Sequence, residues 1–371
     1  MKEQKRSFIR EILESIDKDT ISFAGGLPDE ELFPMKELQK AGKKILKNKK
    51  HLQYTVSNGI VPLRQKIADF YSVEGFETLP ENILITTGSQ QALYVIAKYF
   101  ERKDIIVEKP SYLGAVNIFK ANNLNMKGIT LEQDGIDIDE LKKEYKNTKL
   151  AYLIPDFQNP KGSRYSQEKR DKIANIVLKD GGYIIEDAPY SKLYFDEKIE
   201  CISKQVPNNS FHLGSFSKTL APGFRIGWVR ADKEAIDKLT QIKETIDLHS
   251  SSISQYILNE YLEDISIYKR HIEVLRKKYQ KKMKYFSKYL RKYLPQFEFE
   301  EPKGGMFIYG KLPNTDTREL VYKALEQKVV YVPGSEFYLD YETCDEIRFN
   351  YTHSGKKEIK RGIKRLKKLI I

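Results

Sequence analysis

A chain of 371 residues, 40% hydrophobic and 31% charged, can bury a substantial core and divide into two lobes. It has no apolar run of membrane-spanning length, and its polar start, Met1-Lys2-Glu3-Gln4-Lys5-Arg6, lacks the apolar core of a signal peptide. The net charge of +12 raises nucleic-acid binding, but the densest basic stretch, Tyr268 to Tyr293, carries apolar residues every three or four positions, which predicts a long amphipathic helix with a solvated lysine face.

Lys356 to Lys368 reads the same way, so no nucleic acid and no membrane is expected as a partner. Cys201 and Cys344 are the only cysteines, which argues against a disulfide scaffold and for a reducing cytoplasm.

In chain order, residues 8 to 16 predict a short amphipathic helix with Ile9, Ile12, Leu13 and Ile16 on one face. Gly25-Gly26 then allows a turn or the close approach of a ligand. Pro34 to Asn48 and Leu63 to Tyr71 read as helices. From residue 82 onward, strands alternate with helices. The predicted strands are Asn82 to Thr87, Asp104 to Glu108, Leu150 to Pro155, Tyr183 to Asp187 and Ser210 to Gly214. That order predicts an α/β fold with a mostly parallel sheet covered by helices on both faces. A ligand then sits beyond the carboxyl ends of the strands, where Gly88, Asn159, Asp187 and Lys218 fall. After Ile253 the character changes, and residues 297 to 351 predict a smaller α+β lobe closed by a C-terminal helix.

The chemistry concentrates in Gly214-Ser215-Phe216-Ser217-Lys218, with Arg225 beyond a Pro-Gly turn. A lysine that can lose its proton forms a Schiff base with a carbonyl compound. Ser215, Ser217 and Arg225 are suited to a phosphate, and the turn Gly88-Ser89-Gln90 opens a helix whose free amides suit an anion. Lysine, hydroxyls and arginine together point to a phosphorylated aldehyde, which is what pyridoxal phosphate is. No metal is called for.

Taken as an ordered set, Asn159-Pro160-x-Gly162, Asp187-x-x-Tyr190, Ser215-x-Ser217-Lys218, Arg225 and Arg348 resemble the fold-type I pyridoxal-phosphate enzymes of the class I/II aminotransferases. The resemblance covers nearly the whole chain. Ser22 to Pro28 and Phe157-Gln158-Asn159-Pro160 look closest to the 2-aminoadipate and kynurenine aminotransferases. It implies an aspartate-aminotransferase-like fold with a seven-stranded sheet. The implied division is an N-terminal arm over residues 1–40, a large cofactor domain over 41–260 and a small domain over 261–371.

It also implies the roles. Lys218 holds the cofactor and carries protons, Asp187 pairs with its ring nitrogen, and Asn159 and Tyr190 reach its phenolic oxygen. Tyr112 stacks on the ring, while Gly88, Ser89, Gln90, Ser215, Ser217 and Arg225 hold the phosphate. Tyr54 reaches the phosphate of a partner subunit, which makes the enzyme a homodimer with shared sites. Arg348 clamps the substrate carboxylate, beside Gly26 and Asn159. The substrates implied are an amino acid (2-aminoadipate, aromatic or branched-chain) and a 2-oxo acid, 2-oxoglutarate.

Two positions depart from the family pattern and lie close to the expected pocket: Lys161 stands where threonine is common, and Asp156 where asparagine is. Arg10 has two readings. It either meets the distal carboxylate of an acidic substrate or pairs with Glu14 on a solvated helix face. The same cofactor also supports a β-lyase or a decarboxylase. A regulatory aminotransferase-like domain would need a DNA-binding segment, and only about one short helix precedes the aminotransferase part.

Overall fold

The computed structural model describes Ile12, residues 16–340 and residues 344–370. The helix expected over residues 8–16, and Arg10 with it, falls outside the described residues except at Ile12 and Ile16. The chain enters through β1 (Ile21–Ser22). The buried aliphatic runs then become β2 (Ile83–Thr86), β3 (Asp104–Lys109), β4 (Asn125–Thr130), β5 (Leu150–Leu153), β6 (Tyr183–Asp187), β7 (Ser210–Ser215) and β8 (Gly227–Arg230). These make one seven-stranded sheet in the order β2-β8-β7-β6-β5-β3-β4. Strands β4, β3, β5, β6 and β7 run parallel. Strand β8 is antiparallel to both β7 and β2, so β2 points the same way as the parallel set.

Side chains alternate across a strand, and the core follows that alternation. Ile105, Val107, Tyr152 and Ile185 pack on one face with the helices Ser89–Tyr99, Leu113–Ala121 and Lys233–Asp247. Ile106, Ala151, Leu153 and Ile184 pack on the other with Ile138–Glu144 and Gln167–Asp180. Burial on both faces explains why these strands are continuous apolar runs.

The smaller layer is a four-stranded sheet of β9 (Glu298–Phe299), β10 (Phe307–Lys311), β12 (Val332–Pro333) and β13 (Glu346–Asn350), in the order β12-β13-β10-β9. Strand β11 (Val329–Val330) leaves it to pair in parallel with β1. The long helix runs over Ile265–Tyr293, three residues earlier than its apolar stripe indicates. Asp264 caps it, accepting from the Ser266 amide at 3.0 Å. Tyr268, Ile272, Leu275, Tyr279, Met283, Phe286 and Leu290 form its buried face, as the spacing predicts.

The arm after β1 belongs to this layer. Phe23 packs edge-on against Phe286 at 4.9 Å, the Asn350 amide donates to Phe23 O at 2.7 Å, and Asp29 pairs with Lys282 at 2.7 Å.

Candidate active site

The site lies along the carboxyl ends of the parallel strands. After β2 the chain turns at Gly88, whose φ of +80° is left-handed and which caps the helix Ser89–Tyr99. A Cβ there would lie 2.4 Å from Arg225 Nη2, so only glycine lets that guanidinium approach. Arg225, exposed at the end of its own turn, donates to Thr87 O at 3.2 Å and Ser217 Oγ at 3.4 Å. The Ser217 amide donates to Ser215 Oγ at 3.1 Å. Gly88, Ser89, Ser215, Ser217 and Arg225 therefore ring one cup at a helix N-terminus, the arrangement that binds anions. Gln90 is on the same turn with its side chain exposed.

Lys218 follows β7, and its Nζ donates to Gly26 O of the arm at 2.8 Å. Burial, reinforced by the Arg348 and Arg225 charges, pulls its pKa down to about 8. Asp187 ends β6. Its Oδ2 accepts from the Tyr152 hydroxyl at 2.8 Å, and burial pushes its pKa up to about 7 against the pull of Tyr152 and Lys218. Arg348, on β13, donates from Nη1 to Asn159 Oδ1 at 2.7 Å and from Nη2 to Ala24 O. Its guanidinium lies between the rings of Phe307, 4.4 Å away, and Phe337, 4.9 Å away. Burial lowers even this arginine, to about 10.

Asn159 is within hydrogen-bonding reach of the Tyr190 hydroxyl, whose pKa is raised by burial and by nearby Tyr112. Tyr112 caps the helix Leu113–Ala121, and its ring lies where a Cβ on Gly114 would be, 2.4 Å away. Ser89 Oγ, Asp187 Oδ1 and Arg348 Nε are buried around this ring of residues and find no partner among the described residues. They await an anion, a cationic or protonated group and a carboxylate respectively.

The model of the family "Aminotransferase class I and II" matches residues 18–366. Aromatic-amino-acid aminotransferase 1 of Thermococcus litoralis is 35% identical over 385 residues, 99% of this chain and 92% of its own. Two solved structures superpose closely. One is an alpha-aminoadipate aminotransferase from Thermus thermophilus complexed with N-(5'-phosphopyridoxyl)-L-leucine, with a TM-score of 0.92, 34% identity, and 99% of this chain and 95% of that one covered. The other is the kynurenine aminotransferase of Pyrococcus horikoshii, with a TM-score of 0.93, 31% identity and the same coverage.

Fold and site define a fold-type I pyridoxal-phosphate enzyme, with the expected aspartate-aminotransferase-like architecture. The chain belongs to the class I and II aminotransferases and is a pyridoxal-phosphate-dependent transaminase. The three unpartnered atoms fit the group: a phosphate at Ser89, a ring nitrogen at Asp187, and the carboxylate of a substrate at Arg348.

The two departures from the family pattern do not shape the pocket. Asp156 turns under the loop to accept from Arg170 at 2.8 Å, and Arg164 Nε lies 3.5 Å away. Lys161 Nζ donates to Leu131 O and Glu132 O. Both side chains tie the Asn159 turn to neighbouring segments. Tyr54 is 80% exposed, with its ring edge-on to His249 at 5.7 Å.

Residues that sequence reasoning missed are Tyr152, Phe307, Phe337 and Glu108. The one available signal was a hydroxyl or carboxylate inside an otherwise apolar strand, which must find a partner.

One other polar cluster stands out among the described residues: Glu186, Cys201 and His212 come within 4.8 Å of one another. The Glu186 carboxylate already accepts from the Ile202 and Ser203 amides and the Ser203 hydroxyl. His212 Nδ1 bonds the Tyr71 hydroxyl at 2.8 Å. The cluster is a satisfied core network.

Proposed function

We propose that this aminotransferase moves an amino group between an L-amino acid (2-aminoadipate, aromatic or branched-chain) and 2-oxoglutarate, as a cytoplasmic homodimer with shared sites. The observation that carries the substrate end is the buried Arg348 guanidinium, held between two rings with its Nε unpartnered. A planar fork so placed receives an α-carboxylate at two points.

Lys218 holds the cofactor covalently and, with a lowered pKa, takes and returns a proton at the substrate α-carbon. Asp187 Oδ1 would pair with the cofactor's ring nitrogen. Asn159 and Tyr190 would hold the phenolic oxygen, and Tyr112 would cover the ring. The cup of Gly88, Ser89, Gln90, Ser215, Ser217 and Arg225 holds the phosphate. Pyridoxal phosphate, when bound, supplies the electron sink for the α-carbon.

Leu46, Leu52, Tyr54 and Val56 are all more than half exposed, an apolar surface that a second copy would cover. The three-part division at residues 40 and 260 follows the same reading, with the arm joined to the small lobe.

Half-reaction spectroscopy tests this. Glutamate alone should convert the cofactor to its amino form and release one equivalent of 2-oxoglutarate, whereas a β-lyase, which needs a leaving group on the β-carbon, would leave glutamate and the cofactor spectrum unchanged. Arg10→Ala should lower the specificity constant at least about tenfold for glutamate and 2-aminoadipate while sparing leucine and phenylalanine, because a desolvated charge-assisted contact is worth roughly 1.5–3 kcal/mol. Equal loss across all donors would return Arg10 to the surface. Arg348→Lys should raise the Michaelis constant roughly ten- to a hundred-fold for every donor, by the same energy. A defect confined to acidic donors would instead assign Arg348 to the side-chain end of the pocket.

A further inference from the structure

Glu108 stands next to last in β3 and is fully buried. Its Oε1 accepts from the Ile154 amide at 2.9 Å and the Tyr165 hydroxyl at 2.7 Å, and its Oε2 accepts from Gln158 Nε2 at 2.8 Å. The Ile154 and Gln158 amides can only donate, and with the Tyr165 hydroxyl donating as well they favour the carboxylate against burial, which pushes the Glu108 pKa up to about 7. Gln158 has no freedom to turn round. Its Oε1 accepts from the Lys161 amide at 2.8 Å, and its Nε2 also donates to Pro110 O at 3.0 Å. The Gln158 amide and carbonyl further close the turn on Ser163 and Gly162.

Two loops meet at this contact. One runs from Glu108 through Pro110 to Tyr112, and the other runs from Ile154 through Gln158 to Asn159. Asn159 in turn holds Arg348.

We propose that Glu108 is a positioning residue for transamination. As a carboxylate it locks, through Gln158, the turn that presents Asn159 to the loop that presents Tyr112. It thereby fixes the Asn159–Arg348 pair that receives the substrate carboxylate. This inference rests on the roles proposed above for Asn159 and Arg348.

Glu108→Gln keeps the volume and inverts one partner. The new amide must turn a donor toward either the Gln158 amide or the Ile154 amide and Tyr165 hydroxyl, and donors then face donors. To escape, Gln158 would have to flip, losing both Lys161 and Pro110 and loosening Asn159.

The test is binding to the holoenzyme of the α-methylated form of its best donor, which docks but has no α-hydrogen to lose. Binding is read as a dissociation constant from the cofactor's absorbance. E108Q should weaken binding roughly ten- to a hundred-fold, the range for removing an outer partner that orients a ligand-holding residue. The double variant E108Q/Q158E puts a donor opposite an acceptor again at this contact and keeps the Lys161 contact, but it sets a carboxylate oxygen against Pro110 O, so it should bind more tightly than E108Q without reaching the wild type. A merely structural role would follow the melting temperature and would not be rescued by the exchange.

Gln158→Leu, which leaves Glu108 bonded to Ile154 and Tyr165, should show the same weakening and serves if E108Q does not fold. Wild-type affinity in E108Q or Q158L, or a double variant no better than E108Q, overturns the lock. Arg348→Lys, measured alongside, separates the two levels. Unchanged binding in R348K overturns the site reading and the lock with it. A loss in R348K with wild-type binding in E108Q overturns the lock alone.

Discussion

Lys218→Ala should leave a folded protein that cannot hold its cofactor covalently, with turnover reduced at least about 10³-fold, since proton transfer by a positioned group alone contributes roughly 10²–10⁴. Borohydride treatment of the wild type should fix the cofactor on Lys218, and a digest carrying it on another lysine would end the assignment.

The structure adds a pH dependence with a definite sign. A lysine must be neutral to attack a carbonyl, and the Lys218 pKa is lowered to about 8 by burial and the neighbouring arginines. At pH 7.5 about a quarter of the apoprotein has a free amine there, against about one in a thousand for an ordinary lysine. The rate of cofactor capture should therefore rise with pH, with its midpoint near 8 and a plateau about one unit higher. Arg348→Gln removes a charge that lowers Lys218, so its midpoint should move up. A midpoint near 10.5 in the wild type would contradict the electrostatics of the pocket.

Asp187→Ala should keep the covalent link and lose the chemistry. Asp187 Oδ1 is buried without a protein partner, while Oδ2 is held by Tyr152, so one carboxylate oxygen is oriented and free to face a cationic ring nitrogen. Removing one member of a buried charge pair costs about 3–5 kcal/mol, which is roughly 10²–10⁴ in turnover at about 1.36 kcal/mol per decade. The visible absorbance of bound cofactor should persist. Tyr152→Phe should fall between this variant and the wild type, because it releases the carboxylate without removing it. Near-normal turnover in Asp187→Ala would be fatal to the role.

The residues of the pocket were legible where one local signal coincides with another. Gly88, Asn159, Asp187 and Lys218 each end an apolar run and begin a turn, and the parallel order then brings those turns to one edge. Glu108 and Tyr152 showed only a polar group in an apolar strand, because the partners that give them a role come from other strands and loops far along the chain. Phe307 and Phe337 read as ordinary core residues, and only the fold places a guanidinium between them.

The sheet's edge strand β4 escaped for a different reason. Asn125-Met126-Lys127-Gly128-Ile129-Thr130 buries Ile129 alone, so its pattern is too polar to announce a strand. Lys161 and Asp156 flank Asn159 in sequence and were expected near the pocket. The turn sends their side chains backwards, a direction that spacing along the chain does not encode.

The pairing of β1 with β11 has a consequence for how the enzyme is made. During synthesis the whole seven-stranded sheet can assemble once Arg230 has cleared the ribosome, because its strands span residues 83–230 alone. The carbonyl that holds Lys218, at Gly26, was made long before but hangs on a strand whose mate is Val329–Val330. Arg348 arrives later still. A nascent chain stalled near residue 260 therefore carries Gly88, Ser217 and Lys218 but not the strand on which its arm pairs. Long-range closure is the slow kind, so the contact of Lys218 with Gly26 should form only after Val329–Val330 has been made.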